Sequence, residues 1–228
     1  MNTPTTILDS VRQAFASVFK KRKTRIIDSL PTLEDFTATR AAFIAQKTLY
    51  GYTKTRMGTS FPEMFRDPMI IHSVNIAKMH HFAECLSDLC VFVTGQILAG
   101  EGISDSTRRA LALRLYDLGL EANLEHTVEE FDPADARKRF EQRVNFVDWS
   151  GAFDIRDIFT HSQQSLIRWA PIADELKAFD REIVENSVRF AWIEVRQQFD
   201  KLLRLEATRS DIAKADLLSP APAPPAGC

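Results

Sequence analysis

Apolar residues recur along most of the chain at intervals of three and four, the spacing that stacks side chains on one face of an α-helix; the strict alternation of a half-buried strand is absent. Ile7, Val11, Phe15 and Val18, flanked by Leu8 and Phe19, form a first stripe. A second segment opens at Pro31 and Thr32, with Thr32 as the expected N-cap, and carries Phe36, Phe43 and Tyr50 along one side. After "GTSFPEMFRDP", Pro68 starts a long segment in which Ile71, Val74, Met79, Phe82, Leu86, Leu89, Val93 and Ile97 face inward. "AGEGISD" breaks it, and Ser104 or Ser106 caps a further helix reaching His126. Asp132 and Pro133 open the next helix, a short one ends at Trp169, and Pro171 starts the last long one. There Ile172, Leu176, Phe179, Ile183 and Phe190 make one stripe; Val184, Val188, Ala191, Val195, Phe199 and Leu202 make an adjoining one. So wide an apolar face fits a helix gripped on two sides in a bundle, with Asn186 as a buried amide that fixes register.

The pattern predicts an all-α fold, a single-domain bundle of about six to seven helices. Residues 1–27 read as an amphipathic basic N-terminal helix, 28–208 as the bundle and 209–228 as a Pro/Ala-rich disordered tail ending "LLSPAPAPPAGC". At 228 residues the chain is long enough to bury a core without disulfides or metal. Its three cysteines agree: Cys85 and Cys90 sit in an apolar run, Cys228 is the last residue, and no spacing resembles a zinc site. With no secretory leader in "MNTPTTILDSV", this predicts a reducing, cytoplasmic setting. The most apolar stretch, "LCVFVTGQILAG", meets Asp88 and Glu84 when extended to membrane length, so it reads as a buried helix.

Catalytic signatures are sparse. An α/β-type serine hydrolase needs Gly-x-Ser-x-Gly on a strand-to-helix turn, and "MGTSFP" and "DWSGAF" do not supply it. Glycine loops for phosphate are absent, and no cofactor is expected. His81, Glu84 and Asp88 share one helix face and are the weak candidates for a metal site. A di-metal bundle, however, repeats Glu-x-x-His on two helices; the other reading is a polar seam closing on Arg and Lys. The segment "YGYTKTRMGTSFPEMFR" interleaves Tyr50, Tyr52, Lys54, Arg56, Phe61, Phe65 and Arg66, and reads as a loop for a partner or an anionic ligand. Its bland alternative has Phe61 and Phe65 plugging the bundle. Between Arg114 and Arg137 lie seven acidic residues, Asp117, Glu121, Glu125, Glu129, Glu130, Asp132 and Asp135, with no Lys or Arg. They form either a solvated face or a dock for a basic partner, the first helix included.

Net charge is −2, so an electrostatic function must come from local clustering. The basic block is "FASVFKKRKTR": Lys20, Lys21, Arg22, Lys23 and Arg25 follow directly on Phe15, Val18 and Phe19. Apolar insertion plus headgroup contact would hold such a helix at an anionic membrane surface, each cation adding roughly 1 kcal/mol. Packing on the bundle, with the cations complementing the helix dipole, is the alternative. For nucleic acid the run is a weak footprint, because no reading motif accompanies it.

At "FIAQKTLYGYTKTRMG", "SVNIAKMHHFAECLSDL" and "SLIRWAPIADELKAFDREIVENSVRFAW" the chain resembles uncharacterised helical proteins of alphaproteobacteria, some labelled "esterase". The resemblance covers residues 33–205 and implies a bacterial, cytoplasmic, single-domain unit with the N-terminal helix as an appendage. The label implies hydrolysis. The expected function is a non-enzymatic adaptor or scaffold with a protein partner, attached peripherally to the cytoplasmic face of the membrane. A hydrolase or a metal-dependent bundle enzyme is the alternative, and a regulatory nucleic-acid binder a third.

Overall fold

A computed structural model describes residues 25–64, 66–100, 102–149 and 158–215. The expected N-terminal stripe and all its basic residues except Arg25 lie outside these, as do Phe65, Cys228 and the chain after residue 215. The described chain is an all-α bundle without strands, as the periodicity predicts. Seven helices of ten residues or more follow in order: α1 (Leu30–Met57), α2 (Pro68–Ile97), α3 (Asp105–Glu121), α4 (Pro133–Phe146), α5 (Thr160–Trp169), α6 (Asp174–Leu202) and α7 (Leu205–Lys214).

Local chemistry sets most boundaries. Asp67 accepts from the Met69 amide ahead of Pro68, and Asp132 accepts from the Ala134 amide ahead of Pro133. Ser104 takes the Thr107 amide and opens α3. At α1 the N-cap is Ser29 rather than Thr32: Pro31 sits in the first turn, where its missing N–H is harmless, and the Thr32 hydroxyl accepts the Ser29 amide at 3.0 Å. α1 then runs past Tyr50 to Met57 and ends at Gly58, whose φ of +54° suits glycine. The expected loop at Tyr50–Arg66 is therefore mostly helical: the end of α1, a 3-10 turn over Gly58–Ser60 and a short α-helical turn over Phe61–Met64. Pro171 does not open α6; it lies in a turn closed by the Ile172 amide on the Ala170 carbonyl, and the helix starts at Asp174.

α2 lies at the centre, packed on α1, α3 and α5, while α6 packs on α1 and α5. A chain of rings crosses the core from Phe36 to Phe199 (5.6 Å), Phe92 (5.5 Å), Phe159 (5.4 Å) and Trp192 (4.5 Å). Gly119 lets α3 close on α2, because a β-carbon there would stand 2.8 Å from a Leu86 methyl.

The two ends of the described chain clamp together. Ile27 bridges to Leu203: its amide donates to the Leu202 carbonyl, and its carbonyl accepts from the Arg204 amide (2.8 Å) and the Thr208 hydroxyl (3.1 Å). Asp211 of α7 accepts the Leu30 amide at 2.8 Å and caps α1 from a distance. Arg209 donates to the carbonyls of Ile97, the last residue of α2, and of Ala99 beyond it, and Arg108 donates to those of Leu98 and Gly100. The expected boundary at 208/209 thus falls inside α7, whose Ile212 is fully buried.

Candidate functional site

α2 carries polar residues into a crowded place, so each must find a partner or be costly. His81 is fully buried; its Nε2 lies 2.8 Å from the Thr48 hydroxyl of α1, and burial pulls its pKa down to about 3, so the ring is neutral. The Cys85 thiol, 3.7 Å from the same nitrogen, is held protonated by its own burial. Asp88, also fully buried, accepts from Arg143 of α4 (2.7 Å) and from the Ser162 amide in the first turn of α5 (2.8 Å). Burial pushes the Asp88 pKa up, and Arg143 and Ser162 pull against it. Arg143 also donates to Ser87 and to the Ile158 carbonyl, and Trp192 donates to the Ser162 hydroxyl.

Glu84 lies at the rim of this cluster, 3.4 Å from His161 Nδ1 and 3.7 Å from Arg139. Burial alone would raise its pKa, but the His161 bond and the positive charges around it outweigh that and hold the carboxyl low. One helical turn away His80 stacks on Trp169, rings 3.6 Å apart and parallel.

The trio expected on one face of α2 therefore diverges: His81 goes to α1, Glu84 to α4 and α5, Asp88 to α4 and the start of α5. Among the described residues no group of three His, Cys, Asp or Glu side chains is placed to hold a metal ion. What the arrangement does chemically is hold four helices, α1, α2, α4 and α5, in register, with Glu84–His161 the one carboxylate–imidazole contact in it that reaches solvent.

The aromatic–basic segment disperses in the same way. Tyr52 donates to Asp180 of α6 at 2.8 Å, and Arg56 pairs with both oxygens of that carboxylate. Desolvation, then the Asp180 contact, raises the Tyr52 pKa to about 12. Tyr50 and Phe61 pack against the core, while Lys54 and Arg66 are exposed. In the acidic run, Asp117 pairs with Arg137, Asp135 with Arg139 and Glu130 with His72, and Asp132 caps α4. The side chains that meet it come from α4 and α2.

The large departure from expectation is on α6. Val184, Val188, Ala191, Trp192, Val195 and Phe199 face the core. Of the stripe expected beside them, Ile172 packs against the core, but the rest points away: Leu176 is 41% exposed, Phe179 83%, Ile183 71% and Phe190 71%, and Ile193, 40% exposed, continues the same line. At 100° per residue the two stripes lie on nearly opposite sides of the helix, so the bundle reaches only one of them. Asn186 lies within the outer stripe and accepts from Arg189 at 2.9 Å rather than fixing a buried register. An open groove of about 610 Å³ runs between this stripe and Lys47 and Thr48 of α1. Sequence reading missed the exposure; the signal available was the three–four alternation of positions 176, 179, 183, 186, 190 and 193, a seam rather than a broad core face.

Among the described residues no helix is long and apolar enough to cross a membrane. Compared with known proteins, the chain matches no family model, no curated protein and no solved structure.

Proposed function

We propose that this protein is a non-enzymatic adaptor or scaffold that works by docking, with the outer face of α6 as its contact surface. The observation that carries this is the unpartnered stripe itself: two phenylalanines and an isoleucine more than two-thirds exposed in one line. Contiguous apolar surface of this kind marks interaction sites. Against hydrolysis or metal chemistry stands the engagement of His81, Glu84 and Asp88, each with partners that belong to the fold. Attachment to the cytoplasmic face of a membrane through Phe15, Val18, Phe19 and the cations Lys20–Arg25 belongs to the same proposal, supported by their sequence pattern. The docking reading is tested by placing a photo-crosslinking amino acid at position 179 in cells, with exposed Lys138 of α4 as the control position. A discrete adduct at 179 and none at 138 is expected. Two equally blank lanes would remove the reading.

A further inference from the structure

The outer stripe of α6 follows a heptad, Leu176, Phe179, Ile183, Asn186, Phe190 and Ile193 alternating in steps of three and four over about 26 Å. Such a seam calls for another helix, and its flanks say which one. Along one flank, at heptad spacing, stand Glu175, Glu182, Arg189 and Arg196, two acids followed by two bases. That order is its own complement when reversed.

Resting on the docking reading above, we propose that the outer face of α6 binds the same face of a second copy of this chain, the two helices running antiparallel about a two-fold axis. With Phe179 of one copy opposite Phe190 of the other, Leu176 falls opposite Ile193 and Ile183 opposite Asn186. Glu182 then faces Arg189, a pair occurring twice by symmetry. Arg196, which falls opposite Glu175, packs its guanidinium over the Phe92 ring of its own core at 5.9 Å, so Glu182–Arg189 is the pair that carries the match. The other flank raises no conflict. Ser187 meets Asp180, whose charge is already met by Arg56, and Glu194, paired with Lys47 at 2.7 Å, meets Ala173.

The charges also choose the register. Sliding one copy by a heptad sets Arg189 against Arg189 in one direction and Glu182 against Glu182 in the other. A parallel pairing sets Glu175 beside Asp180 and trades the central Glu182–Arg189 pairs for Arg189 beside Glu194, a carboxylate that Lys47 already holds. Asn186 sits in the two central layers, a polar break of the kind that narrows the choice of pairing. Each copy contributes two largely exposed phenylalanines, a residue type that buries about 150–250 Å² apiece. With their aliphatic neighbours these bring the contact toward the ~1,200 Å² at which specific interfaces begin.

Sedimentation equilibrium of the full chain, over concentrations reaching about 100 µM, should show a dimer in the micromolar range or tighter. Phe179→Glu with Phe190→Glu should give a monomer with an unchanged far-UV circular dichroism spectrum, since both side chains lie outside the core. Glu182→Arg and Arg189→Glu should each weaken the dimer about tenfold or more, and the two together should restore it. A wild-type monomer overturns the proposal, as does a dimer indifferent to the phenylalanine pair. A double charge reversal that fails to recover overturns it too, because only an antiparallel contact of like with like predicts recovery. A monomer whose position 179 still crosslinks to a different protein removes the second copy as the occupant and leaves the docking reading in place.

Discussion

His81 shows how a residue that reads as a metal ligand becomes part of a core. Its spacing from Glu84 and Asp88 was legible, because helical geometry puts all three within one arc of α2. Their destinations were not, since Thr48, His161, Arg139, Arg143 and Ser162 arrive from three other helices and no local pattern announces them. The consequence at His81 is a pH dependence. In the folded chain the ring stays neutral down to about pH 3, whereas in the unfolded chain it takes up a proton near its ordinary value of 6.5. Between those values unfolding binds one more proton than folding, so stability falls as pH falls, by up to about 1.4 kcal/mol per pH unit. Urea unfolding of the wild type and His81→Gln at a series of pH values from 7 to 4 measures this. The variant's stability should decline less steeply by one proton; equal slopes would show that His81 does not stay neutral.

Helix boundaries were readable wherever the signal is local: the Asp-Pro openings of α2 and α4 and the serine opening of α3 are examples. They were not readable where a cap comes from elsewhere. α5 has Phe159 at its N-cap with no side-chain bond of its own, and Asp88 of α2 takes the Ser162 amide instead. α7 escaped notice because the extended break at Leu203 depends on Ile27, distant in sequence. The α5 cap carries a prediction. Asp88→Ala leaves Arg143 nearly buried without its carboxylate and opens the first turn of α5, so it should cost about 3–5 kcal/mol. Removing both partners, Asp88→Ala with Arg143→Ala, should cost clearly less than the two single losses added together. Chemical denaturation of the four proteins gives the coupling, and strict additivity would contradict the geometry.

At the scale of the molecule, fold class followed from periodicity, but which of two apolar stripes on α6 faces inward did not, because both satisfy the same spacing. Only the positions of α1 and α5 decide it. The membrane part of the proposed function belongs to this scale as well. Fractionation of cells producing the full chain or residues 27–228, a truncation that keeps the Ile27 bridge, should place the first with membranes and the second in the soluble fraction. If both stay wholly soluble, the attachment is wrong. The clamp between Ile27, Thr208 and Asp211 also sets an order of events during synthesis. α1 is made early, yet its first turn waits for Asp211 and the end of α2 waits for Arg209. Until the ribosome has released α7 that end of the nascent bundle lacks its last bonds, so closure comes last and a stalled or shortened chain meets the cell with the Leu30 amide and the Ile97 and Ala99 carbonyls unmatched.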